Sequence, residues 1–246
     1  MPTVIDEAVD IQQRYYAASA AVYEDMHLHE GSGDVVANRY VHFLLKMVNA
    51  QSVLDVGTAT GRALHDVRAI LPDAFVCGIE PVAALLGVAR RNDVLRSGSL
   101  VRGTGLALPF ADKSFDVVCE FGVLHHVRDP ELMVEEMLRV ARKAVIIADC
   151  NRFGQGPMLL RLLKLAMYKT RLWPLFDWVR TRGKGYRLTD GDGVSYSYSV
   201  YDSFDLLANW ADRLIMLPSG HGRANSWCHP LLTSAGVMAF AIKEND

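Results

Sequence analysis

The chain has 246 residues, half of them hydrophobic and 22% charged, which is enough apolar material for one large α/β domain and excludes wholesale disorder. Twenty-six Lys and Arg face 28 Asp and Glu, a net charge of −2, so the global basic excess of a general nucleic-acid binder is missing and no nucleic-acid partner is expected. The N-terminus is acidic and has no apolar core segment, no charge-free apolar run approaches the roughly 20 residues of a spanning helix, and Cys77, Cys119, Cys150 and Cys228 form no CxxC pair; together these predict a soluble protein of the reducing cytoplasm without a zinc knuckle or disulfide framework.

In chain order, residues 1–50 predict a helical N-terminal cap whose first 34 residues carry seven acids and one base. Residues 51–151 form the core of the pattern, with thirteen charges of each sign over residues 35–151. Short runs rich in Val and Ile predict buried strands at Ser52–Val56, Phe75–Ile79, Leu100–Gly103, Phe115–Glu120 and Ala144–Asp149. Helical stretches near Gly61–Ile70, Val82–Arg91 and Glu131–Ala141 separate them, which is the grammar of a doubly wound parallel sheet. Residues 152–200 interrupt that grammar as a basic helical insertion, with nine bases against Asp177 alone over 152–187. MLLRLLKLAMYK and LWPLFDWVR predict cationic amphipathic helices broken at Pro174, followed by a flexible run at Thr181–Tyr186. Residues 201–246 predict a last helix, Ser203–Trp210, and two strands, Arg213–Leu217 and Gly236–Ile242. The whole is a single domain in which the insertion and the N-terminal segment cap the strand ends, where ligands of such sheets bind.

The most informative segment is VLDVGTATGRAL, Val53 to Leu64: a strand, a turn with small residues at Gly57, Ala59 and Gly61, then a helix. Small residues there let the backbone approach a ligand, and the helix N-terminus adds donors. The third small residue of a dinucleotide fingerprint is missing, since Arg62 follows, and no G-K-[ST] occurs in the chain, so phosphate cradling is disfavoured. Glu80 ends the second strand 19 residues after Gly61, where a carboxylate can accept both ribose hydroxyls.

VLDVGTATG, the acidic strand end Glu80, LPFADKSFDVV and VLHHV occur in order, and over about residues 50 to 150 the chain resembles the class I S-adenosylmethionine-dependent methyltransferases in their small-molecule branch. The resemblance implies a Rossmann-like doubly wound seven-stranded sheet, mostly parallel with an antiparallel last strand, and S-adenosyl-L-methionine as cofactor. It implies that Asp55 lies near the methionine amino group and that Gly57, Ala59 and Gly61 pack along methionine and ribose. Glu80 would bind the ribose, Pro81 would lie beside the adenine, and Thr104, Gly105 and Leu106 would touch the adenine, with Glu120 at the end of the fourth strand completing the cofactor set. Thr104 stands where the family usually has an acid, and Ala59 where it usually has glycine. A zwitterion with a sulfonium and no phosphate calls for carboxylates rather than a lysine-bearing loop, and Asp55 and Glu80 meet that demand.

Acceptor-side candidates are less patterned. Tyr15 and Tyr16 on the N-terminal helix, and Asn151 and Arg152 directly after the fifth strand, are candidates to face substrate. His221 and His229 bracket the connection between the last two strands and are candidate bases; His125 is a third, although adjacent His125 and His126 read first as packing residues that point apart. Asp149 with Asn151 faintly resembles the metal-binding acid and amide of catechol-type methyltransferases, but the spacing is imperfect, and Asp190-Gly-Asp192-Gly lacks the later ligands of a calcium loop, so it is read as a turn and no metal is expected. The basic insertion has three readings: a face neutralised by the acidic N-terminal segment, a binder of anionic substrate, or a weak dock on an anionic membrane surface. The function expected is methyl transfer to a small molecule such as a sugar, lipid-linked glycan or natural product, with oxygen favoured. The alternatives are a protein or RNA methyltransferase and a non-catalytic nucleoside-binding regulator; the oligomeric state is left open.

Overall fold

The computed structural model describes residues 7–27, 33–91, 98–219 and 229–244. Helices α1 (Glu7–Ser19), α2 (Tyr23–His27) and α3 (Gly33–Met47) precede the sheet. The core then runs β1 (Ser52–Val56), α4 (Arg62–Ile70), β2 (Phe75–Glu80), α5 (Ala83–Arg91), β3 (Gly98–Arg102), β4 (Phe115–Phe121), α6 (Pro130–Val140) and β5 (Ala141–Cys150). The insertion holds α7 (Met158–Lys169), α8 (Trp173–Arg180) and a hairpin of β6 (Tyr186–Thr189) and β7 (Gly193–Tyr196). The chain closes with α9 (Phe204–Trp210), β8 (Arg213–Pro218), α10 (Pro230–Thr233) and β9 (Gly236–Ile242).

Seven strands form one sheet in the order β3-β2-β1-β4-β5-β9-β8. β1 to β5 pair in parallel, while β9 runs antiparallel to both β5 and β8. The strand order reverses between β1 and β4, and a sheet of this kind opens its ligand crevice beyond the strand ends at that reversal. The core strands bury residues on both faces, as the near-continuous apolar runs predict. Leu54, Val56, Ile79, Val118 and Ile147 pack on one face under Met133 and Met137 of α6. Val53, Val76, Val117, Ile146 and Phe240 pack on the other against Leu44 and Leu45 of α3 and Leu64 of α4. The seven predicted sheet strands are all present.

The insertion departs from expectation in one respect. Its two helices match, with Pro174 in the first turn of α8, where proline's fixed φ and missing N–H cost nothing, and the break itself falls at Arg171, whose φ is 60°. The β6–β7 hairpin is new: an isolated two-stranded hairpin is marginal in water, and this one is held from outside. Gln12 of α1 donates from Nε2 to the carbonyl of Asp192 at 3.1 Å and accepts from the backbone N–H of Val194. Gly193 lies so close under that amide that a Cβ there would sit 2.3 Å from Gln12 Oε1.

Candidate active site

β1 delivers Asp55 to the sheet's upper edge, and the following turn takes three left-handed residues: Gly57 (φ 78°), Ala59 (φ 47°) and Gly61 (φ 78°). Glycine accepts that conformation freely, while Ala59 carries a Cβ into it. The backbone N–H groups of Gly57 and Thr58 donate to the Ile79 carbonyl at 2.8 and 3.1 Å, which fastens the turn to β2. A Cβ on Gly57 would lie 2.5 Å from Val123 Cγ2, so smallness there is also a packing demand.

Glu80 closes the loop from the other side. Its carboxylate accepts from the N–H of Ala59 at 3.2 Å and of Val82 at 2.9 Å. Asp55 and Glu80 are 2% and 5% exposed, and neither has an ion pair among the described residues. Burial pushes Glu80 up to about 7, against the pull of those two N–H donors. Burial likewise pushes Asp55 up to about 6, against donors from Thr58 and Cys119. Desolvated carboxylates without a counter-charge favour a ligand that brings cationic charge and hydroxyl donors, so a sulfonium nucleoside with an ammonium and a ribose fits this chain's donor set. Along the same edge, Pro81 follows Glu80 and its carbonyl accepts from Arg102 Nε at 3.3 Å. The Thr104 hydroxyl accepts from the Leu106 N–H at 3.2 Å, with both side chains exposed, and Gly105 packs under Val56 and Met133.

A cavity of about 390 Å³ opens beyond the ends of β4 and β5 and the start of β9. Phe121, Gly122, Asp149, Cys150 and Gly236 contribute from the sheet, Tyr16, Tyr23 and His27 from α1 and α2, and His125 and Asp192 from the turns. Tyr16 and Tyr23, with ring centroids 5.7 Å apart, pack against the buried cluster of Ala20, Val82 and Leu85, on which Ala59 of the glycine turn also packs. The aromatic pair therefore shares one apolar cluster with the glycine turn and lines the cavity as well.

The cavity wall carries a charged network. His125 Nδ1 lies 2.7 Å from Asp149 Oδ1, the His125 backbone N–H donates to Asp149 Oδ2 at 3.1 Å, and His125 Nε2 lies 3.1 Å from Asp192 Oδ2. Burial disfavours an imidazolium here, but the two flanking carboxylates outweigh it and hold His125 well above the ordinary histidine value. Asp192 is also partly desolvated, yet donors from His125 and His126 hold it well below the usual carboxylate range. His126 Nδ1 lies 2.5 Å from the Val194 carbonyl, and its Nε2 lies 2.9 Å from the Tyr16 hydroxyl and 3.3 Å from Asp192 Oδ1. Rather than pointing apart, the two rings lie side by side with centroids 3.9 Å apart, and both reach Asp192. The 3-10 turn Leu124–His126 permits this, since the rings are set by the turn and not by helical spacing.

Several expected site residues are committed elsewhere. Glu120 is wholly buried, and its carboxylate accepts from the Val123 and Ala148 N–H groups at 2.9 and 3.0 Å, bracing β4 against β5. Asn151 is wholly buried; its amide donates to the carbonyls of Leu231 and Ser234 at 2.7 and 2.8 Å and accepts from Phe153 N–H and Ser199 Oγ, which fixes the turn before β9. Arg152 pairs with Asp202, donates to the Ser197 carbonyl at 2.6 Å, and lies 5.1–5.3 Å over the rings of Phe153, Tyr168 and Trp173, anchoring the insertion. Neither lines the cavity, because every polar group of Asn151 and the charge of Arg152 are spent on the scaffold. His229 is exposed and caps α10 by accepting from Leu231 N–H at 3.3 Å, and Tyr15 is absent from the cavity wall. His221 lies outside the described residues. Of the acceptor-side candidates, Tyr16 and His125 reach the cavity; Asp149, Tyr23 and Asp192 join them, and His126 stands behind Asp192 and Tyr16. Asp192 was noticed only within a turn, and nothing local pointed to its meeting with His125 across 67 positions of sequence.

A methyltransferase-domain family model matches residues 54–148. An uncharacterized methyltransferase from Mycolicibacterium gilvum (strain PYR-GCK) is 40% identical over 194 residues, covering 78% of this chain and 72% of its own. Another from Mycobacterium leprae (strain Br4923) is 28% identical over 195 residues, covering 78% and 69%. Among solved structures, magnesium protoporphyrin IX methyltransferase from Synechocystis PCC 6803 with bound S-adenosylhomocysteine superposes with a TM-score of 0.62 at 15% identity, covering 96% of this chain and 99% of that one. The chain belongs to the class I S-adenosylmethionine-dependent methyltransferases, whose cofactor is S-adenosylmethionine.

Proposed function

We propose that the chain transfers the methyl group of S-adenosylmethionine to a small molecule seated in the cavity beyond β4 and β5, with oxygen the favoured acceptor atom. The observation that carries this reading is that Tyr16 and Tyr23 line a cavity of about 390 Å³, a volume suited to a compact ligand, and pack on the same apolar cluster as Ala59 of the glycine turn. A relative from Roseiflexus sp. (strain RS-1), 36% identical over 97 residues and matching 39% of this chain and 40% of its own, is named a demethylmenaquinone methyltransferase, which favours a small molecule over a protein or RNA acceptor. The cofactor, when bound, supplies an electrophilic methyl on sulfur. Asp55 and Glu80 bind its charged and hydroxylated groups, with Gly57, Ala59, Gly61, Pro81, Thr104, Gly105 and Leu106 along its length. Residues 1–50 and 152–200 act as caps on the 51–151 core, with Tyr16 and Tyr23 excluding water from above. Both ring nitrogens of His125 face carboxylates, so it serves as a positioning residue rather than a free base, and alignment of acceptor, methyl and sulfur supplies most of the rate.

The test is transfer of labelled methyl from the cofactor into fractions of a cell extract by the purified chain. Label in small organic-extractable molecules is the expected result. Label confined to protein or RNA, or cofactor binding without any transfer, overturns the reading.

The insertion supports a partner as well. Leu159, Leu175, Trp178 and Val179 are 81%, 62%, 61% and 61% exposed on α7 and α8. Lys169, Arg171, Arg182, Lys184 and Arg187 stand on the same segment without an ion pair among the described residues, while Asp10 of the N-terminal segment pairs with its own neighbour Arg14. Exposed apolar side chains and cations without ion pairs on one segment suit an anionic lipid surface. No described helix is long and apolar enough to cross a membrane, so the contact would be peripheral, in a cytoplasmic setting that suits the free thiols of Cys77, Cys119 and Cys150. Flotation should show association with vesicles of phosphatidylglycerol and phosphatidylcholine, lost in Leu159→Glu/Trp178→Glu; equal association with phosphatidylcholine alone, or none with either, overturns it.

A further inference from the structure

We infer that His125, His126 and Asp192 form a binding site for one zinc-like divalent cation on the wall of the acceptor cavity. This reverses the expectation of no metal drawn from sequence. The donor set is two imidazoles and one carboxylate, a combination that takes borderline first-row ions such as zinc or cobalt(II). Their ligating atoms lie within 4.8 Å of one another. Asp192 Oδ2 and Oδ1 stand 3.1 and 3.3 Å from Nε2 of His125 and His126 respectively. Two ligands each about 2.0–2.1 Å from a shared zinc ion lie roughly that far apart at a near-tetrahedral angle.

The surroundings of the two histidines are those of metal ligands. A ligating imidazole characteristically donates its other ring N–H to a carboxylate or a backbone carbonyl, which fixes the tautomer and turns the remaining lone pair on the ion. His125 Nδ1 meets the buried Asp149 carboxylate at 2.7 Å, and His126 Nδ1 meets the Val194 carbonyl at 2.5 Å. Both Nε2 atoms are thereby aimed at the same acid from two different partners. Tyr16 places its hydroxyl 2.9 Å from His126 Nε2 and 3.3 Å from Asp192 Oδ1, within reach of a further coordination position. The Asp192 side chain is 40% exposed and it also lines the cavity, which gives an ion a path in. Without the ion, protons on Nε2 bridge the same atoms, so the metal exchanges with them and no rearrangement of the fold is needed.

The site would also explain the construction of the cap. α1, the turn after β4 and the β6–β7 hairpin meet at these atoms, so one ion would clamp three elements that lie far apart in sequence.

The test is titration of the full chain with cobalt(II), read by equilibrium dialysis and by the visible ligand-field bands of a low-coordinate ion. We expect one cobalt per chain, displaced by zinc. Asp149→Asn should weaken binding roughly 10–100-fold, the scale of a lost outer partner, and Asp192→Asn and His126→Gln should each weaken it further. His65→Ala, on the exposed face of α4, should leave it unchanged. Circular dichroism and cofactor binding show that each variant is folded. Absence of stoichiometric cobalt, or binding that survives in folded Asp192→Asn and His126→Gln alike, overturns the inference. Because the readout needs no methyl transfer, either result leaves the proposed reaction to its own test.

Discussion

The two halves of the proposed active site are built in opposite ways. On the cofactor side, Asp55, the glycine turn and Glu80 come from β1, its turn and β2, which are neighbours in the chain and in the sheet, and their partners are mostly backbone groups. On the acceptor side, Tyr16, His125, Asp149 and Asp192 come from a helix, a turn, a strand end and a hairpin, and they meet through side chains. The first half rests on neighbouring strands and on hydrogen bonds made largely to the backbone. The second depends on how α1 and the insertion pack over the strand ends, and acceptor specificity in the proposed function would lie there.

If the halves are separable in this way, substitutions in each should give distinct signatures. The largest effect is expected at Glu80. Glu80→Gln removes charge-assisted acceptors for the ribose hydroxyls, and cofactor affinity should fall roughly 100-fold by calorimetry, at about 1.5–3 kcal/mol for each such bond. The same change removes a desolvated charge, so the cofactor-free protein should become more stable at pH 8, by up to roughly 3 kcal/mol from the shift to about 7. A loss of both affinity and stability would place Glu80 in the scaffold instead.

Gly57→Ala is next. With φ at 78° and Val123 2.5 Å from the new methyl, thermal unfolding should show a loss of about 2–4 kcal/mol. An unfolding midpoint equal to wild type would refute the packing role.

The pH dependence should mark the cofactor side as well. Glu80 and Asp55 have folded values raised above their unfolded ones, so the free protein retains protons there and loses stability as pH rises from the unfolded carboxylate range through about 6 and 7. Cofactor binding favours the ionised forms. Affinity should therefore rise with pH, by about tenfold per unit per proton released, and level off above about 7. Glu80→Gln should flatten the upper part of that curve, and a profile flat from pH 5 to 8 in the wild type would break the link. The smallest effect is Gly87→Ala in α5, where a Cβ meets only Arg91 at 3.6 Å. It should stabilise by about 0.5–1 kcal/mol through helix propensity, the opposite sign from Gly57→Ala.

This division also explains what was legible beforehand. The five parallel strands announced themselves as short Val- and Ile-rich runs, and Asp55 and Glu80 followed from strand ends at fixed spacing. Asn151 and Arg152 were placed at the right strand end but given the wrong work, because burial and partners from β9's turn and Asp202 are not visible in their neighbours. The β6–β7 hairpin was missed because its four-residue strands are too short to show a period, and Gln12 of α1 holds it in place.

By itself the sequence determined the sheet, the glycine turn and the placing of Asp55 and Glu80 beside it, since each depends on local periodicity and on residues adjacent along one βαβ unit. The tertiary structure alone decided that Tyr16, His125, Asp149 and Asp192 share one cavity wall, with His126 bonded to two of them. Their meeting depends on how α1 and the insertion pack down on the strand ends, and packing between distant segments leaves no periodic trace in either one.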